Sequence, residues 1–139
     1  MDGTAVNFSG PLEDRIAIRE LYDQYCDGVM SKDMAMWGPT WAEDAEWLAR
    51  GVTITGRANI VAAASQILEN VPVAIFFSNL GRTHIDGNRG TGRCYNIELF
   101  YFPSGPAYYL SYYDDEYAKV DGRWVFQKRI NVVMKDGKF

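Results

Sequence analysis

A single histidine in 139 residues leaves few side chains able to move a proton near neutral pH, and His84 is the obvious one to examine. It lies in "FFSNLGRTHIDG", residues 76 to 87. A neutral imidazole can take a proton there if a carboxylate fixes its tautomer and stabilises the imidazolium. Its position argues against that role. Side chains in a strand alternate with period two, so in the β-rich run from about Val73 the residues Ile75, Phe77 and Asn79 share one face, and His84 has the opposite parity. His84 also lies about 30 Å beyond Ile75 at ~3.3 Å per residue, beside the Asp86-Gly87 turn. A bulge at Gly81 changes the parity but not the distance. The expectation is a strand-end residue, exposed or structurally packed. Cys26 and Cys94 are isolated, without a CxxC or Cys/His spacing, so no metal site is expected, and two free thiols fit a reducing cytoplasm.

The remaining candidates depend on the elements that carry them. From Pro11, a helix-start residue, Ile18, Leu21, Tyr22, Tyr25, Cys26 and Val29 recur at helical spacing and form one apolar stripe. Asp27 falls off that stripe and is expected to be solvated. A short helix around "SKDMAMWGPTW" stops at Gly38-Pro39, because proline cannot continue it. "AEWLARGVTITG" reads as a small hairpin bent at Gly51, and "RANIVAAASQIL" as a third helix ending near Asn70 and Pro72. The rest is a meander with turns at "DGNRG", "PSGP" and "DGR", pairs with a steric preference for hairpins. Helices first and a long antiparallel run afterwards predict an α+β fold.

Net charge of −4 and the lack of a Lys/Arg cluster argue against nucleic-acid binding. No apolar run approaches the roughly 20 residues a membrane span needs. "MDGTAVNFSG" lacks the pattern of a signal peptide. The expected organisation is a flexible lead-in over residues 1–10, then one domain over residues 11–139. Aromatic residues reach 14%, a content that suits pocket walls or a subunit interface. They occupy both parities of "YYLSYY", so one face of that strand is expected to line the interior and the other to pack on a second subunit.

The long helix with "IRELYDQYCDGV", then "WAEDAEW", a hairpin, a helix and a meander ending in "DDEYAKVDGRWVFQKR" resembles the SnoaL-like branch of the nuclear transport factor 2-like superfamily, over residues 12–135. Within it the pattern is most similar to hexachlorocyclohexane dehydrochlorinases, scytalone dehydratases and bile-acid dehydratases. The resemblance implies a cystatin-like α+β cone, a curved mixed or antiparallel sheet wrapped around the long helix, enclosing a mostly apolar pocket. It also implies elimination by a histidine base oriented by an aspartate. The matching positions here are Met30 for the aspartate and Ile75 or Phe76 for the histidine, so the dyad is absent. By the same resemblance Tyr25 takes the place of a polar pocket residue, Trp47 and Tyr113 those of pocket walls, and Arg129 that of an arginine thought to stabilise a leaving anion. Asn79 is placed as a ligand contact, with Ile75 and Tyr22 as further wall residues. Asp33 is the carboxylate nearest the missing aspartate. For Arg129 the alternative is a structural pair with Asp115 or Glu116; for Asp33 it is the cap of the short helix.

These readings lead to a cofactor-free lyase or isomerase (dehydratase, dehydrochlorinase, isomerase or cyclase) acting on a small apolar, ring-containing molecule, in a homo-oligomer, dimer or trimer. Tyr25, Arg129 and Asp33 are its candidate catalytic residues. The alternatives are a ligand-binding protein that has lost the chemistry, favoured by Met30 and Ile75, and a structural oligomerisation module. The enzyme reading requires a buried titratable group that meets Tyr25, Asn79 or Arg129 across one pocket.

Overall fold

The computed structural model describes residues 8–139, so residues 1–7 of the expected lead-in lie outside the described residues. The lead-in expectation is corrected at its end. Phe8–Ser9 form a short strand, β1, which pairs in parallel with Thr83 and His84. Gly10, at φ 103, turns the chain into Pro11, the N-cap of helix α1, Leu12–Ser31. The apolar stripe of α1 packs inward, with Ile18, Leu21, Tyr22, Tyr25 and Val29 all buried. Helix α2 covers Met34–Trp37, and a 3-10 turn at Gly38–Thr40 carrying Pro39 ends it. The Asp33 carboxylate accepts a hydrogen bond of 3.1 Å from the Met36 amide, which makes it the N-cap of α2.

Strands β2, Trp41–Ala49, and β3, Val52–Thr55, form the small hairpin, and helix α3, Arg57–Glu69, follows it. The meander consists of β4, Val73–Asp86, β5, Arg89–Phe102, β6, Gly105–Val120, and β7, Arg123–Lys138. Together they make one seven-stranded sheet in the order β1-β4-β5-β6-β7-β2-β3. It is mixed: β1–β4 and β2–β7 are parallel pairs, the others antiparallel. At the hairpin turns Arg50-Gly51 and Asp121-Gly122 both central residues have positive φ (53 and 74, 50 and 77), which suits the twist of the flanking strands.

The sheet curls around α1, whose Tyr25 ring lies 5.6 Å from both Phe76 of β4 and Phe126 of β7. Edge-to-face and tilted contacts continue through Trp37, Trp41 and Trp47, so the core is largely aromatic. Gly28 of α1 allows α2 to approach, because a Cβ there would stand 2.7 Å from the Trp37 Cβ and 3.0 Å from its Cα. In an open helix Gly→Ala stabilises by roughly 1 kcal/mol. Here the sign reverses, and Gly28→Ala is expected to lose about 1–3 kcal/mol in urea unfolding.

Strand parity differs from expectation in β4. The inward residues are Ala74, Phe76 and Leu80, all buried, while Phe77 and Asn79 are exposed on the outer face. An extra residue between Leu80 and Thr83 then shifts the register, so Thr83 and Ile85 point inward and His84 does not. A second shift, opposite Glu116/Tyr117, gives β7 an extra residue after Phe126, so that Phe126 and Arg129 both face inward despite opposite parity.

Candidate active site

The inward ends of β4, β5 and β6, the hairpin β2–β3, and α1, α2 and α3 surround a cavity of about 450 Å³. Its wall is mostly apolar or aromatic, with Trp37, Trp47, Phe76, Phe100, Phe102, Tyr109 and Tyr113 prominent. Among the described residues, its only charged side chains are Glu98 of β5 and Arg50 of the hairpin turn. Glu98 is a half-buried titratable group on this wall, which it shares with Tyr25.

Burial pushes the Glu98 carboxyl up from its ordinary value to about 7, while a hydrogen bond from Ser111 and the charges of Arg50 and Arg129 act in the opposite direction. Three neighbouring strands hold it. Ser78, Asn96 and Ser111 are cross-strand partners in one row of the sheet, on β4, β5 and β6. The Ser78 hydroxyl donates to Asn96 Oδ1 at 2.5 Å, and Asn96 Nδ2 donates to Ser111 Oγ at 3.2 Å. Since an amide NH₂ can only donate, the Ser111 hydroxyl keeps its one hydrogen for Glu98 Oε2, 3.1 Å away. Glu98 thus sits in an apolar pocket with an oriented donor, an arrangement in which burial raises the carboxyl and the donor favours its ionised form.

Tyr25 and Tyr113 both line the cavity, and burial raises both phenols above their ordinary value while the Arg129 charge pulls them down. The Tyr113 hydroxyl accepts a hydrogen bond of 3.1 Å from Trp47 Nε1. Arg129 lies behind these rings, its guanidinium carbon 3.8 Å from the Tyr113 centroid and 4.5 Å from that of Tyr25. It is not part of the cavity wall. Nε and Nη2 hold Asp115 at 2.8 and 3.1 Å, and both side chains are fully buried. Tyr22 donates to the same carboxylate and meets the Tyr117 hydroxyl at 2.6 Å. Cys94 receives a contact of 3.3 Å from Arg129 Nη2. Burial raises the Asp115 carboxyl, and the Arg129 charge, its two N–H groups and the Tyr22 hydroxyl oppose that rise by favouring the ionised form.

The structure therefore brings Tyr25, Trp47 and Tyr113 together around one cavity. Other candidates stand elsewhere, and their expected places are corrected. Arg129 and Tyr22 belong to the buried Asp115 network behind the wall. Asp33 is exposed and occupied as a helix cap. Ile75 and Asn79 lie on the outer parity of β4, and Phe76 fills the position where a histidine was expected. His84 is held near β1, its Nδ1 3.2 Å from Ser9 Oγ, away from the cavity wall. Sequence reasoning missed Glu98, although a signal existed: it is the sole charge in the apolar run Tyr95–Phe102 and shares parity with Cys94, Asn96 and Phe100. Among the described residues no cluster of three or more His, Cys, Asp or Glu side chains gathers as a metal site.

One curved mixed sheet and a long helix enclosing an apolar cavity with a half-buried carboxyl on its wall define the α+β cone expected from the sequence. The chain belongs to the SnoaL-like domain family, whose profile matches residues 10–130. Among solved structures it is similar to a type 2 hexachlorocyclohexane dehydrochlorinase (LinA), with 24% identity, TM-score 0.84, and 92% of this chain and 90% of that one covered. It is also similar to a candidate scytalone dehydratase from Novosphingobium aromaticivorans, with 17% identity, TM-score 0.85, and 92% and 89% covered. A LinA-type3 hexachlorocyclohexane dehydrochlorinase from Novosphingobium barchaimii matches at 22% identity and TM-score 0.82, with 92% and 91% covered. A comparison with curated proteins returned no match. No helix of the described residues is long and apolar enough to cross a membrane.

Proposed function

We propose that the protein is a cofactor-independent lyase or isomerase that removes a proton from a small, mostly apolar ring compound, with Glu98 as the base. The observation that carries this reading is a carboxyl on the wall of an apolar cavity that it shares with two phenols, with a serine hydroxyl donating to it; burial pushes that carboxyl up to about 7. A base works best when its pKa lies near the working pH, and burial tunes Glu98 to that range. In the ionised form it takes a proton from a ring carbon. Tyr25 and Tyr113 donate hydrogen bonds to the oxygen on which charge develops, or to the departing hydroxyl. Arg129 acts through them as a positioning residue: it packs on both rings and lowers the cost of charge at their oxygens. Asp33 and Asn79 have no part in this scheme.

The aromatic wall suits a substrate of one or two rings. A fitting probe is 3-hydroxy-1-tetralone, which loses water to give 1-naphthol, followed by naphthol fluorescence. Chlorinated cyclohexanes followed by chloride release complete the panel. Acceleration of either reaction by the purified protein, dependent on Glu98, supports the proposal. Binding of the ring compounds without turnover turns the reading to the ligand-binding alternative, which the missing Asp/His dyad favours.

The proposal includes a homo-oligomer. Phe77 and Ile97 are cross-strand partners on the outer sheet face and are 59% and 50% exposed, with Tyr95 at 42% beside them. An apolar band of this kind suits a second copy of the chain. Phe77→Glu is expected to reduce the mass measured by light scattering to that of the 15.7 kDa monomer. An unchanged mass removes this face as the interface. The free thiols of Cys26 and Cys94 support a reducing, cytoplasmic location.

A further inference from the structure

Arg50 is the one cation on the cavity wall among the described residues, and the catalytic scheme above gives it no task. It occupies the first central position of the β2–β3 turn at φ 53, followed by Gly51 at φ 74, so a tight two-residue hairpin fixes its backbone. Its guanidinium carbon lies 4.5 Å from the Tyr109 ring centroid, which directs the side chain across the opening toward β6. Among the described residues, no carboxylate pairs with it. Around it the rim is apolar: Val52 and Ile67 are 57% and 47% exposed, and Ile54 and Phe102 line the adjoining wall. A ligand entering here meets a mostly apolar rim and a single planar cation, with the Glu98 carboxyl the only other charge on the wall among the described residues.

We propose that Arg50 is an anion handle and that the cavity takes a carboxylate-bearing ring compound, with the ring inside and the carboxylate outermost on the Arg50 guanidinium. A guanidinium matches a carboxylate through two parallel N–H···O bonds, and a ring stacked beneath it holds that fork in place at little further entropic cost. The cavity of about 450 Å³ accommodates a body of two fused rings behind the charge. The proposal rests on the functional reading only in that the cavity is the ligand site; it does not require turnover.

The test compares two probes of the same shape, 2-naphthoate and 2-naphthamide, by quenching of tryptophan fluorescence, since Trp37 and Trp47 line the cavity. The wild type is expected to bind the acid roughly tenfold more tightly than the amide. Arg50→Gln should abolish that preference while leaving the amide within about twofold, and Arg50→Lys should restore part of it, because a point charge lacks the fork. Both variants keep a long polar side chain at an exposed turn, and unchanged circular dichroism checks the fold. Equal affinities in the wild type, or a preference that survives in Arg50→Gln, overturn the proposal. A preference that survives while Arg50→Gln shifts the titration of Glu98 assigns Arg50 to that carboxylate instead. Binding of neither probe overturns both this proposal and the cavity as a ligand site. The full preference without turnover of any ring compound overturns only the catalytic reading.

Discussion

Glu98→Gln is expected to lower kcat/KM on any substrate the protein turns over by about 10²–10⁴-fold, the usual contribution of a general base. The substitution is close to isosteric. Its amide oxygen still accepts the Ser111 hydroxyl, so the row Ser78–Asn96–Ser111 stays in place and a neutral ring compound should bind with little change. In the wild type the rate should rise with pH through about 7 and then level off, following ionisation of Glu98. The variant should lose that rise. The same group predicts an opposite effect on stability. Its folded pKa, about 7, lies above the unfolded value of roughly 4.3, so between these values the folded protein binds more protons than the unfolded chain. Wild-type stability should therefore fall as pH increases through that window and become flat above it, by at most about 4 kcal/mol. Glu98→Gln lacks the fall, and urea unfolding should show it more stable than wild type at pH 8 and nearly equal to it at pH 4. A stabilised variant without activity marks a catalytic residue kept at a cost to the fold. If the variant keeps wild-type turnover, Glu98 is not the base.

The elements were legible in the sequence because their signals are local. Pro11, Gly38-Pro39 and the Asp121-Gly122 turn act on the backbone wherever they occur, and the stripe Ile18–Val29 follows helical spacing without help from neighbours. The site was less legible because it depends on which side of the sheet is inside. In β4 both parities are apolar: Ala74 and Phe76 on one, Ile75 and Phe77 on the other. Alternation could not choose between a core face and a face that carries exposed aromatic and aliphatic residues, and the wrong face placed Ile75 and Asn79 in the pocket. His84 shows how errors can cancel. Its parity matches the true inner face, yet the extra residue between Leu80 and Thr83 turns it outward, so the parity argument reached the right side by two errors while the argument from distance along the strand is unaffected. The extra residue in β7 is equally invisible in the pattern "WVFQKRI", and it brings Phe126 and Arg129 to one side. Glu98 could have been found: a lone carboxylate in an apolar strand must be paired, neutralised or functional. Arg50 could not, because only the fold brings the β2–β3 turn over the cavity.

Breaking the Asp115–Arg129 pair from either end should destabilise the protein by about 3–5 kcal/mol, but the two ends should differ with pH. Asp115→Asn leaves a guanidinium that cannot lose its proton, fully buried and facing only an amide, Cys94 and aromatic rings. Its loss should be the same at pH 5 and pH 8. Arg129→Met leaves a carboxyl that can escape by protonation. Burial already raises Asp115, and removing the guanidinium takes away the largest influence that holds it down. The folded variant then carries a proton that the unfolded chain releases above roughly pH 4, so stability falls as pH rises beyond that value. Arg129→Met should thus be the milder variant at pH 5 and the more damaging one at pH 8. The double variant, Asp115→Leu with Arg129→Met, removes both charges and should recover much of the loss, as replacement of buried ion pairs by apolar residues often does. Urea unfolding of the wild type, Asp115→Leu, Arg129→Met and the double variant at both pH values measures the coupling; additive losses in that cycle, or identical pH behaviour of Asp115→Asn and Arg129→Met, would falsify a buried ionised pair. The double variant also separates stability from catalysis. Tyr25 and Tyr113 would rest on methionine instead of a cation, their phenols would become poorer donors, and kcat should fall in a protein that remains folded.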